Sequence, residues 1–252
     1  MSRTWTNEEY KLHIKAVRKI SKIKDEAFKV ITEKVSRNEI LTDYHLQQFI
    51  KKRFKDLKLV TDVSPPIVAV DKNSSNPHYT PNAQRRTQIK KGSWVLIDLW
   101  AKENVKDGIF ADITWVGYVG KQVPKKYQDI FKIVIKARDK ALYFLETKIK
   151  GGEKVQGWEV DKVARDVIVK AGFGKYFIHT LGHSLDVKVH GDGVCLKSVI
   201  TKDKRLINPG TFITFEPGIY LKEFGVRSEI DVFVGTSSIE VTTPVQKKIV
   251  AI

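Results

Sequence analysis

The sequence predicts an α+β fold: a curved antiparallel sheet covered by helices and duplicated about an internal pseudo-twofold axis. Two observations carry that expectation. Segments with apolar residues at steps of three and four precede each of two segments that alternate in the manner of buried strands. The two alternating segments also match each other. Gly92-Ser-Trp-Val-Leu-Ile-Asp98 parallels Gly210-Thr-Phe-Ile-Thr-Phe-Glu216, with an acid six residues after the glycine in both. A second acid returns on the following strand of each, Asp112 in the first and Glu229 in the second, 14 and 13 residues further on.

In chain order, Thr6 and Glu9 have capping-box spacing. Ala16, Ile20, Ile23, Ala27 and Val30 then mark a long amphipathic helix to about Val35. Thr42-Asp43 caps a second helix through about Phe54. Ser64-Pro65-Pro66 is a turn, Ile67 to Val70 a short buried strand, and Asp71 to Pro81 a polar loop. The first acid-bearing hairpin spans roughly Ser93 to Val119. Pro124 suits the first position of a third helix, which runs to about Lys148 and is stopped by Gly151-Gly152. A fourth helix covers about Gly157 to Lys170, followed by a histidine-rich segment, the second hairpin and a closing strand near Ile239 to Thr243. No linker-like stretch interrupts this order, so residues 1–252 read as one domain.

Composition narrows the function. The chain has 252 residues, 42% hydrophobic and 29% charged, as globular proteins do. No apolar run approaches the ~18 residues of a membrane span, and the N-terminal residues lack a signal-peptide core, so no membrane role is expected. The single cysteine, Cys195, excludes an internal disulfide and suits a reducing, cytoplasmic setting. The net charge of +16 could signal a nucleic-acid partner. The lysines, however, are scattered, with Lys51-Lys52-Arg53 the tightest cluster, so a solvated basic surface is the expected meaning.

The chemistry lies in the acids. Carboxylates are rarely left among buried apolar residues without a compensating cation. Four of them converging from two hairpins would repel strongly in a low-dielectric pocket, and two divalent cations would cancel that charge. Between the hairpins, His179, His183 and His190 place three of the six histidines within twelve residues. His13 and His45 lie outside that cluster and read as structural histidines. Oxygen donors with one imidazole suit Mn²⁺ first, with Co²⁺, Zn²⁺ or Fe²⁺ as alternatives. Two such ions can activate a water and polarise a carbonyl, which is hydrolytic machinery.

The order Asp98, Asp112, His183, Glu216, Glu229 resembles the five metal ligands of the pita-bread metallopeptidases, which include methionine aminopeptidase, aminopeptidase P and prolidase. The resemblance covers nearly the whole chain. It implies that Asp98 is a terminal ligand of one ion, His183 and Glu216 are terminal ligands of the other, and Asp112 and Glu229 bridge both. Glu216 would also shuttle the proton of a bridging hydroxide. His190 would hydrogen-bond the scissile carbonyl, His179 would line the substrate site, and His78 would assist substrate binding. Asn76-Pro77-His78-Tyr79, Glu216-Pro-Gly-Ile-Tyr220 and Val226-Arg227-Ser-Glu229 look like the proline-directed branch. There Arg227 would hold a bridging carboxylate or contact substrate, and Tyr220 would stand behind the ligands or pack in the core.

The implied activity is a dinuclear metallo-aminopeptidase acting on Xaa-Pro peptides, with methionine aminopeptidase-like or prolidase activity as alternatives. Peptides are the implied partners, and a homodimer is left open. A non-catalytic pita-bread protein binding ribosome or nucleic acid through its basic surface is the competing class. Relatives of the proline-directed branch usually carry a further N-terminal domain of the creatinase type, absent from this sequence. Trp94, Trp100 and Trp115 are expected in packing, with one of them available to wall a pocket.

Overall fold

The computed structural model describes residues 5–252. Residues 1–4, part of the stretch read above as lacking a signal-peptide core, lie outside the described residues.

Helix α1 (Asn7–Ser36) starts where Thr6 and Glu9 close a reciprocal capping box. Its apolar stripe, Ala16, Ile20, Ile23, Ala27 and Ile31, is fully buried. Thr42 caps α2 (Asp43–Asp56) by accepting from the His45 N–H at 3.2 Å. Helices α3 (Lys125–Lys150) and α4 (Gly157–Lys170) follow the first hairpin, as the periodicity predicts. Pro124 sits one position earlier than expected, as the N-cap of α3. The fixed φ of proline suits either place.

The first hairpin pairs Trp94–Glu103 with Ala111–Tyr118 in antiparallel register, Asp98 opposite Thr114 and Trp100 opposite Asp112. Ile67–Val70 adds to its other side. Because strand side chains alternate, the hairpin has two distinct faces. Val95, Ile97, Leu99, Ala101 and Ile113 enter a core with α1 and α2. Trp94, Leu96, Trp100 and Val116 face the other core, built with α3 and α4. The same alternation puts Asp98, Asp112 and Thr114 on that second face.

The second sheet runs in the order Ile239–Val241, Ile230–Val234, Thr211–Phe215, Gly182–Leu185, Cys195–Leu196. Described strand pairings are antiparallel except the short Val250–Ala251 segment, which lies parallel to Gly117–Tyr118. The two halves are not equal copies. Glu216 stands one residue past Thr211–Phe215, and Glu229 one residue before Ile230–Val234. Between them a small ribbon pairs Gly218–Tyr220 with Gly225–Arg227. Pro217 has no N–H to offer the ladder, so the strand ends at the acid. The halves meet where the Glu229 N–H donates to the Thr114 carbonyl, 3.3 Å away. No helix among the described residues is long and apolar enough to cross a membrane.

Candidate metal and peptidase site

At this seam a cavity of about 190 Å³ is lined by Asp98, Asp112, His183, Glu216 and Glu229, the five residues singled out from sequence. His78, His190 and Arg227 line it too. Asp112, His183 and Glu229 each offer a ligand atom within 4.8 Å of the others. The other two acids have protein partners. Arg227 donates from Nη2 to Asp98 Oδ2, and His183 Nε2 stands 3.3 Å from Glu216 Oε1. Buried Oδ1 atoms of Asp98 and Asp112 have no hydrogen-bond partner among the described residues.

Charge follows from this packing. Two unit charges 4 Å apart interact by about 4 kcal/mol at an effective dielectric of about 20. Burial, then the neighbouring Glu229 and Asp98, pushes the Asp112 carboxyl well above its ordinary range. Burial, then Glu216 and Asp98, does the same to Glu229. Asp98 is raised by burial, against the pull of Arg227. Burial also opposes ionisation of Glu216, but the hydrogen bond and charge of His183, with His179 and Arg227, outweigh it and bring it down to about 2. Oxygen-rich donors, two unpartnered carboxylate oxygens and mutually repelling acids are the chemistry of a divalent-cation site, and the residues fit such ions.

Arg227 is not the surface salt bridge that an isolated arginine usually makes. It is 3% exposed. Its Nε donates to Thr114 Oγ1 at 2.9 Å and its Nη1 to the Tyr220 hydroxyl at 2.8 Å, while Thr114 Oγ1 donates to Glu229 Oε2 at 2.8 Å. The tautomer of His179 follows from its neighbours. Nδ1 lies 2.7 Å from the Thr180 carbonyl and must donate, so Nε2 accepts from the Tyr220 hydroxyl at 2.7 Å. Burial keeps this ring neutral, with its pKa lowered to about 4.

Other sequence-predicted residues fall around this core. His78, exposed on its polar loop, lies at the mouth. His190 lies beside His183 with ring centroids 4.3 Å apart and planes tilted by 57°, and burial, then His183, lowers its pKa. His179 lines an adjoining cavity shared with His78, His183, His190 and Glu216. Tyr220 sits behind both cavities, 6% exposed. Among the tryptophans, Trp94 packs flat on Tyr127 and Trp115 lies under the Lys24 ammonium, while Trp100 walls the cavity.

Sequence reading passed over Thr114 and Asp231. Asp231 accepts the Asp112 N–H at 2.9 Å, beside the buried His13. Both residues follow a predicted ligand by two positions, so strand alternation was the available signal. Of the tightest basic cluster, Lys52 and Arg53 are paired with Asp56 and Glu26, which leaves little free charge there for a polyanion.

Fold and site together define a pita-bread scaffold wrapped around an acidic, cation-demanding cavity. The model of metallopeptidase family M24 matches residues 15–236, and the chain belongs to that family. An uncharacterized peptidase of Staphylococcus haemolyticus is 31% identical over 237 residues, covering 93% of this chain and 62% of the relative. Among solved structures, an X-Pro aminopeptidase from Thermotoga maritima superposes with a TM-score of 0.81 at 25% identity, covering 99% of this chain and 64% of that one. A prolidase from Thermococcus sibiricus gives 0.79 at 30% identity, covering 99% and 62%. The chain thus spans just under two thirds of the length of these relatives.

Proposed function

We propose that this chain carries the catalytic centre of a dinuclear metal-dependent aminopeptidase that prefers an N-terminal residue preceding proline. The observation that carries the reading is the convergence of Asp98, Asp112, His183, Glu216 and Glu229 on one cavity. Those five residues would hold the ions through four carboxylates and one imidazole. Manganese is the working ion, residues 1–252 act as one catalytic domain, and the free thiol suits a cytoplasmic setting.

Two divalent ions, when bound, supply the charge that lowers the pKa of water and polarises a carbonyl. The chain's own residues do the rest. Glu216 accepts a proton at its carboxylate and passes it to the leaving nitrogen. His190 donates a hydrogen bond to the scissile carbonyl oxygen as negative charge develops there. Arg227 holds Asp98 in place and ties it through Tyr220 to His179, which faces the adjoining substrate cavity. His78 binds the peptide at the mouth. A proline-terminated amide has no N–H, so a pocket that grips no donor at that position fits this substrate class. Similarity to an X-Pro aminopeptidase and a prolidase supports the preference.

The test is turnover of an Ala-Pro-Ala peptide against a Met-Ala-Ser peptide with Mn²⁺ or Co²⁺. Faster cleavage of the first is expected. Faster cleavage of the second moves the assignment to methionine aminopeptidase.

A further inference from the structure

The cavity has a wall that the five acids do not explain. Trp100 stands directly opposite Asp112 on the neighbouring strand, so the two side chains emerge on one face. Trp100 is 9% exposed, and its indole Nε1 donates to Asp62 Oδ1 at 2.8 Å. The Ser64 N–H donates to the same oxygen at 3.0 Å, so two donors fix the orientation of this carboxylate. Asp62 is exposed and lines the cavity rim, and among the described residues no lysine or arginine pairs with it. Pro65, Ile67 and Val189 add apolar surface to the same cavity.

A held carboxylate lining the same cavity as Asp112, beside an indole, has a chemical complement. Aliphatic stems of lysine and arginine lie along apolar surface while their charged heads seek a polar end. The face of an indole attracts such heads as well. We infer that Asp62 and Trp100 form a specificity subsite recognising a cationic group, ammonium or guanidinium, on the first residue of the peptide. The inference rests on the proposed peptidase reading and deepens it by naming the substrate class.

Two sources could supply the cation: the side chain of the first residue or its α-ammonium. Three peptides separate them: Lys-Pro-Ala, norleucine-Pro-Ala and Ala-Pro-Ala, cleaved by the Mn²⁺-loaded protein and its Asp62→Asn variant. A side-chain source predicts that kcat/KM for lysine over norleucine falls about two- to fivefold in Asp62→Asn, carried by KM, as expected for one ion contact at an exposed carboxylate. Asp62→Glu restores part of it. An α-ammonium source predicts that KM rises by a similar factor for all three peptides. No change in any of them overturns the inference. Should the parent protein cleave none, the peptidase reading itself has failed. Calorimetric binding of Lys-Pro-Ala to parent and Asp62→Asn then still decides the subsite, equal affinities overturning it. Trp100→Phe keeps the wall but removes the N–H that holds Asp62, and is expected to weaken lysine preference by a smaller factor.

Discussion

Replacing Arg227 by methionine isolates what holds the carboxylates together. The guanidinium is buried and donates to Asp98, Thr114 and Tyr220 at once. Methionine leaves the Asp98 carboxylate facing Glu216 with no cation beside it. Removing one partner of a buried ion pair costs about 3–5 kcal/mol, and the hydroxyls left behind add only fractions of the ~1 kcal/mol that a hydrogen bond contributes. A loss of about 4 kcal/mol is expected, or roughly 10 °C in Tm for a chain of this size. The assay is urea unfolding of chelator-treated protein, followed by tryptophan fluorescence at several pH values. Burial already raises the Asp98 pKa, and removing Arg227 raises it further. The folded variant therefore holds a proton that the unfolded chain has released, and its stability falls as pH rises through the folded value. The gap to the parent should be widest at high pH and narrow towards acid. A loss below about 1 kcal/mol, flat with pH, would refute the idea that Arg227 compensates these acids.

Further predictions concern the cluster and its supports. Since Asp112 and Glu229 are raised by burial and by their acidic neighbours, ion binding should release protons and tighten as pH rises. Calorimetry in two buffers of different ionisation enthalpy measures the release, and identical heats would count against it. His190→Ala should lower kcat about 10²–10³-fold while leaving the metal content per chain unchanged, checked by kinetics beside elemental analysis. Gly182→Ala would set a Cβ 1.9 Å from the Thr214 carbonyl oxygen. Its cost should be at least the 1–3 kcal/mol typical of overpacking, and the displaced strand should weaken metal affinity through His183. Denaturation and metal titration of that variant test both effects.

Much of this site was legible because the acids interrupt apolar strands. A carboxylate in a buried alternating run, as at Asp98 and Asp112, needs a reason that a surface acid does not. The paired hairpins made the four acids visible as a set, and the helix caps at Thr6 and Thr42 fixed where the covering helices begin. Contacts between remote segments were not legible. Nothing local at Arg227 says that it reaches Asp98, 129 residues away, rather than Asp112 or Glu229. The Asp62–Trp100 bond joins a turn to a strand, and the Asp231–Asp112 bond joins the two halves of the molecule. The inner ribbon between Glu216 and Glu229 hid behind the apparent equality of the two repeats. Pro217 was the local sign that the second strand stops at its acid.

The most direct test is the number of divalent ions retained per chain, by elemental analysis after loading with Mn²⁺ and desalting, for the parent and Glu216→Ala. About two ions in the parent, with at least one lost and peptide cleavage abolished in the variant, is the result expected of acids that meet to hold a metal pair. A parent that keeps none, with Glu216→Ala behaving identically, would contradict the claim that these acids converge to hold metal.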